Sequence, residues 1–188
     1  MMIYISKGVV QKNSTEQNIR ILRGGQVFQL TGVEAQVWLD GRLEFATADD
    51  PARNRAVEHL SRMGLAEYEQ EDSPVARYRI LTRGVCCAAV THRFSLPVRH
   101  NEKEILKWLR NAGLRLSTAE LVFLQEHQIK PVPQLLYAQN RQALTEAIYM
   151  RTNIGDNLLE CQMEHAKCRD DVVRTLVSLL RKKKILIL

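Results

Sequence analysis

No stretch of this chain is apolar for long enough to span a bilayer, and Met1–Val10 lacks a basic segment followed by a long apolar run. The expectation is therefore a cytoplasmic chain with no membrane partner. Cysteine is scarce and oddly placed: an adjacent pair, Cys86 and Cys87, and a pair at helical spacing, Cys161 and Cys168. Neighbouring cysteines rarely close a useful loop, so this is not a secreted disulfide framework, and reduced thiols are expected. Catalytic signatures are missing too. There is no G-x-S-x-G, no H-E-x-x-H, no phosphate loop and no pair of carboxylates in an apolar setting. The chain is expected not to be an enzyme and to need no cofactor. Acidic residues are absent from Ser73 to Asn101, where Arg77, Arg79, Arg83, Arg93 and Arg99 fall together with His92 and His100.

What is present describes an ordinary globular protein. The chain has 188 residues, with 45% hydrophobic and 26% charged, which excludes a disordered reading and is enough to bury a core without covalent staples. A net charge of +6 makes an anionic partner plausible.

The most informative stretch runs from Asp49 to Gly84. Asp49 or Asp50 can cap a helix that begins at Pro51, a position whose missing N–H has no intrahelical partner anyway. Ala52, Ala56, Val57, Leu60 and Met63 share one side, with Arg53, Arg55, Glu58 and Arg62 on the other, and Gly64 ends the helix. Leu65 to Gln70 alternates, Glu71 to Pro74 has turn chemistry, and Val75 to Leu81 alternates again. The pattern predicts a helix followed by a β-hairpin. Upstream, Met2 to Ile5 reads as a strand, and Ile19–Arg23 with Gln26–Leu30 reads as a hairpin turning at Gly24-Gly25. Thr31 and Glu34 are spaced as a capping box for a helix from Gly32 to about Leu39, with Val33, Val37 and Trp38 inward. Leu43 to Ala48 is expected to form a short second helix or a turn.

The run HLSRMGLAEYEQEDSPVARYRILTRG resembles the end of the recognition helix, the wing and the exit of winged helix-turn-helix transcription regulators of the MarR and PadR kind. That resemblance implies DNA recognition. The third helix would enter the major groove with Arg53, Asn54, Arg55, Ser61 and Arg62, while Arg77 and Arg79 of the wing, with Arg83 at its exit, would touch phosphate or the minor groove. A homodimer would double the base contacts. A second resemblance lies upstream: GGQVFQLTGVEAQVWLDGR followed by HLSRMGLAEYE is similar to PqqD-like peptide-recognition domains. It implies a peptide or protein partner bound by strand addition, without nucleic acid.

The second half is expected to be mostly helical. Thr82 could cap a linking helix from Arg83 to His92, and Phe94 to Pro97 marks a boundary, giving domains 1–95 and 96–188. Helices are expected at Glu102–Asn111, Asn140–Arg151, Asp156–Ala166 and Asp170–Lys182, with a terminal strand at Ile185–Leu188. Leu116-Ser117-Thr118-Ala119-Glu120 repeats the signature of Leu30 to Glu34. The second domain thus reads either as a second, degenerate winged helix with an insertion, or as a helical dimerisation or ligand-sensing domain. The fold class is α+β. Arg181-Lys182-Lys183-Lys184 complements the end of its helix dipole and is also a candidate phosphate contact. Cys161, His165 and Cys168 share a helical face that could hold a soft metal, but not at a zinc-finger spacing, and they read first as core.

Overall fold

The computed structural model describes residues 1–12, 14–15, 18–89, 96–111, 115–131 and 166–188. Among these the chain is mixed α and β, with three small sheets, and its residues group into two compact units: Met1–Gly84 with Leu186–Leu188, and Val85–Ile185. The division falls after Gly84, upstream of the Phe94–Pro97 boundary expected from proline placement.

The first unit is organised around β1 (Met2–Ser6), which is buried along its whole length. A strand with both faces and both edges enclosed must find backbone partners on either side. It finds them in β5 (Ala46–Ala48) and β6 (Ala66–Glu69), both antiparallel to it, so the sheet order is β5-β1-β6. This demand explains the first departure from expectation. Leu43 to Ala48 does not form a short second helix, because Ala46, Thr47 and Ala48 are taken up as partners of Tyr4, Ile3 and Met2.

A second sheet has the order β2-β3-β4, from β2 (Val9–Val10), β3 (Asn18–Arg23) and β4 (Gln26–Thr31). The last two form the expected hairpin. Gly24 and Gly25 have φ of +56° and +82°, the left-handed pair that a two-residue turn of this twist requires.

Helix α1 (Gly32–Asp40) follows directly, and α2 (Pro51–Arg62) lies beyond β5. The start of α2 is as the sequence predicts: Asp50 Oδ1 accepts from the Ala52 and Arg53 amides at 2.9 Å each, and Pro51 takes the first position. Ala56, Val57 and Leu60 are buried, although Ala52, expected inward, is exposed. Gly64 has φ +71° and closes the helix. These residues form one core with Tyr4, Ile19, Ile21, Leu30, Val37 and Trp38. The start of α1 differs from expectation in two ways. Thr31 has extended cap geometry but its side chain makes no capping hydrogen bond, and Glu34 meets His59 Nδ1 at 2.6 Å instead of reaching back. Val33, expected inward, is exposed.

The largest correction concerns the wing. Val75 to Leu81 is not a returning strand. Pro74–Thr82 forms a helix, α3, with Ser73 Oγ accepting from the Ala76 amide at 3.1 Å and Pro74 in the first turn. The alternation of Ala76, Tyr78 and Ile80 imitated a strand. On a helix Ala76 with Ile80, and Tyr78 with Leu81, are neighbours at i,i+4 and i,i+3, so the same residues are buried as two pairs on different sides of α3. With its partner gone from the hairpin, β6 pairs with β1.

In the second unit, residues expected to start a linking helix form β7 (Val85–Ala88), which pairs antiparallel with β8 (Leu116–Ser117). The helices are α4 (His100–Asn111), α5 (Thr118–Glu126) and α6 (Ala166–Arg181); the last strand of the chain, β9 (Ile185–Ile187), has only its first residue in this unit. Ser117 and Glu120 make the full capping box: Ser117 Oγ accepts from the Glu120 amide at 3.1 Å, and Glu120 Oε2 accepts from the Ser117 amide at 2.8 Å. Buried Glu102 joins α4 to α6, accepting from Lys182 Nζ at 2.7 Å and Ser178 Oγ at 2.6 Å. The helices expected at Asn140–Arg151 and Asp156–Ala166 lie outside the described residues.

Candidate interaction surface

The arginines expected to touch DNA do not form one ridge. Arg53 donates to Asp40 Oδ2 at 2.5 Å and to the Tyr4 hydroxyl at 3.4 Å. Arg77 is held in a fork by Asp72 at 2.7 and 2.8 Å, and its guanidinium lies 5.5 Å from the Phe45 ring centroid. Arg83 bonds Glu69 at 2.5 Å and the Tyr68 carbonyl at 3.1 Å. These three cations are therefore matched by carboxylates within the unit, and the forked pair in particular fixes its guanidinium in place. Asn54 is half-buried, and its Oδ1 is enclosed without a hydrogen-bond partner among the described residues. Ser61 is half-buried as well. Arg55 and Arg62 lie one above the other on the exposed side of α2, with Glu58 between them, and Arg55 Nε donates to the Pro51 carbonyl at 3.1 Å. Arg79 is exposed on α3, and residues two apart on a helix point roughly 200° from one another, so it does not act with Arg77.

Nothing in the sequence marks Lys7 as a site. Its side chain is 2% exposed, and Nζ donates to Glu67 Oε1 at 2.6 Å and to the Arg83 carbonyl at 3.2 Å. Burial pulls its ammonium below the usual value, with the Glu67 carboxylate opposing. Every hydrogen-bond partner of this group is part of the fold, so it reads as a strut under β1 and β6. Tyr4 is similar: burial pushes its hydroxyl up to about 12 while it donates to the Val37 carbonyl at 3.0 Å.

The metal and thiol candidates also change. Cys161 and His165 lie outside the described residues, and among the described residues no cluster of His, Cys, Asp and Glu could hold a metal. Burial pushes the Cys86 thiol up to about 12 and the Cys168 thiol up to about 11, so both are protonated near neutral pH and poor nucleophiles. In the basic run, Lys182 is engaged by Glu102 and Lys184 is buried, which removes two of its four cations from an outward-facing patch.

The β2-β3-β4 sheet presents a different kind of surface. Its inner face carries Ile19, Ile21, Phe28 and Leu30. Its outer face carries Arg20, Leu22, Val27 and Gln29, all exposed, and Val9, half-buried. The register puts Val9 beside Leu22 and Leu22 beside Val27, so three apolar side chains cross the outer face in a row. Leu22 and Val27 are 39% and 45% exposed.

The phase of the ladder identifies which backbone groups are free. Arg23 and Gln26 flank the two-residue turn and form a hydrogen-bonded pair, so Ile21 with Phe28 and Ile19 with Leu30 do the same. Residues between these pairs turn their N–H and C=O the other way. On β3 this is confirmed, since the Arg20 carbonyl accepts from the Gln11 amide at 2.8 Å. On β4 the corresponding groups are the N–H and C=O of Val27 and Gln29 and the N–H of Thr31, whose carbonyl, as the N-cap of α1, opens the helix ladder; among the described residues no strand pairs with that side. Gln26–Thr31 contains no charge, proline or glycine, the devices that normally blunt an exposed edge.

The sequence did contain a signal for this edge. In the alternation of β3 and β4, Leu22 and Val27 are apolar residues standing on the polar face, and they face one another across the turn.

No protein-family model, no curated protein and no solved structure matches this chain.

Proposed function

We propose that the first unit is a peptide- or protein-interaction module that captures an extended segment along β4. The observation that carries this reading is the pair of outward-facing backbone N–H and C=O groups at Val27 and Gln29, beside an exposed apolar row, with no strand beyond it among the described residues. Backbone pairing along such an edge supplies affinity, and the alternating side chains supply selection. The resemblance of the hairpin and α1 to PqqD-like peptide-recognition domains points the same way, but its winged-helix component rests on α1, α2 and β6 alone.

A DNA-binding transcription regulator acting as a homodimer is the second reading. It is favoured by exposed Arg55, Arg62 and Arg79, which form no ion pair among the described residues. It has lost the hairpin wing, and carboxylates hold three of its arginines.

One experiment separates the two. Random decapeptides displayed on phage are panned against the full chain and against Gln29→Pro, whose missing N–H faces away from β3 and so leaves the hairpin intact. Clones enriched by the wild type and lost with Gln29→Pro support the interaction module. Absence of any enriched clone, together with salt-sensitive binding of a random duplex that falls when Arg55, Arg62 and Arg79 become alanine, replaces it with the regulator.

A further inference from the structure

Arg20 stands at the centre of the outer face of β2-β3-β4, opposite Gln29 and two residues along the strand from Leu22. It is exposed, and its guanidinium forms no ion pair among the described residues, unlike Arg53, Arg77 and Arg83. From Asn18 to Thr31 the chain contains Arg20 and Arg23 and no acidic residue, and the Arg23 guanidinium is committed to the Gly64 carbonyl. The surface around the open edge of β4 therefore combines one unpartnered cation with the row Val9, Leu22 and Val27.

Resting on the interaction reading above, we infer that the segment captured by β4 is acidic, with a carboxylate two residues before an aliphatic side chain. The spacing follows from strand geometry. A strand added to β4 would make its hydrogen bonds at Val27 and Gln29, and its side chains opposite these two residues would share the outer face. The side chain opposite Val27 extends the apolar row to a fourth member. The one opposite Gln29 is two strand spacings, about 10 Å, from β3, a gap that a glutamate and the Arg20 guanidinium span from either side. All the strand pairs of this unit are antiparallel, and in that direction the residue opposite Gln29 comes two positions before the residue opposite Val27. The order is therefore carboxylate, any residue, aliphatic. A second copy of this chain fits less well, because its β4 has no carboxylate to offer and would bring another Arg20 to the same face.

The test uses the full chain and three fluorescein-labelled decapeptides that differ only at their centre: glutamate-threonine-valine, valine-threonine-glutamate and lysine-threonine-valine. Anisotropy should show the first binding about tenfold more tightly than the other two, in line with a charge-assisted contact. Arg20→Glu should reverse the preference between the first and third peptides. Gln29→Pro should abolish binding of all three while the far-ultraviolet circular dichroism is unchanged. Equal binding of all three peptides, lost with Gln29→Pro, overturns the acidic assignment and leaves the interaction module standing. Tighter binding of the reversed peptide overturns the antiparallel order. If no peptide binds, the inference fails, and phage enrichment that depends on Gln29 decides separately whether the module survives. A dimer in sedimentation that dissociates with Gln29→Pro would assign the edge to a second copy instead.

Discussion

Replacing Glu67 by glutamine removes the carboxylate that compensates Lys7 while keeping its size. In the folded chain the Lys7 side chain is 2% exposed and its ammonium has two partners, Glu67 Oε1 at 2.6 Å and the Arg83 carbonyl at 3.2 Å. Breaking a buried ion pair by deleting one charge costs about 3–5 kcal/mol, and because Glu67 is 17% exposed and glutamine still accepts a hydrogen bond, the lower end, about 3 kcal/mol, is expected here. That is a large share of a typical folding stability of about 5–15 kcal/mol. The loss should depend on pH in a defined direction. Burial already holds Lys7 below its ordinary value of 10.5, and removing the carboxylate lowers it further. Between the folded value and 10.5 the unfolded chain binds more protons than the folded one, so stability rises with pH by up to about 1.4 kcal/mol per unit. The variant enters this window at lower pH than the wild type, and the gap between them should narrow as pH is raised towards 10.5. Urea titrations monitored by Trp38 fluorescence, in a Trp108→Phe background, report on the right place, because Trp38 Nε1 donates to the Lys7 carbonyl at 3.1 Å. The double variant Lys7→Met, Glu67→Leu should recover most of the loss, since no charge is then left buried. A cost below about 1 kcal/mol with no pH dependence would refute the reasoning. If both forms nonetheless gain stability as the pH rises towards 10.5, Lys7 is already uncharged when buried.

Other consequences are independent of that pair. Asp50→Ala removes the acceptor for two amides at the start of α2 and should cost about 1 kcal/mol in the same titration, whereas Thr31→Ala at α1 should cost little, because Thr31 makes no capping hydrogen bond. In the second unit burial would raise the Glu102 carboxyl, but hydrogen bonds from Lys182, Ser178 and the Arg99 amide outweigh it, so its folded value lies below the ordinary 4.5. Its contribution is therefore complete above about 4.5 and is lost as the pH falls through the lower folded value. Acid titration followed by Trp108 fluorescence should show this loss, and Glu102→Gln should remove the pH dependence. Cys86, fully enclosed with its thiol pushed up to about 12, should resist iodoacetamide in the native chain at neutral pH and react once urea unfolds it. Rapid native labelling at Cys86 would show that this strand opens.

Much of the chain could be read locally. Asp50-Pro51 announced α2, Gly24-Gly25 the hairpin and Ser117 with Glu120 the capping box of α5, because each is a short-range arrangement whose hydrogen bonds close within a few residues. The failures have two causes. Ala46–Ala48 became a strand and Val85–Ala88 replaced a helix because each meets a partner far along the chain, and Val75–Leu81 became a helix because Ser73-Pro74 outweighed an alternating pattern that both structures can bury. Thr31 and Glu34 had the spacing of a box, but His59, which belongs to α2, drew the carboxylate away.

The same contrast governs the functional reading. The expectation of DNA-contacting arginines rests on residue types, and an arginine's type says nothing of whether a carboxylate stands opposite it. Asp40, Asp72 and Glu69 do stand opposite Arg53, Arg77 and Arg83, two of them supplied by other elements of the fold. Arg20 carries no mark in the sequence because it belongs to an ordinary hairpin, yet it forms no ion pair among the described residues. What singles out a binding surface here is the residue that folding leaves unsatisfied. By that criterion the cation at Arg20, the apolar pair Leu22 and Val27, and the outward amides of β4 belong together. All are surplus to the core beneath them, and all lie along a single open strand edge.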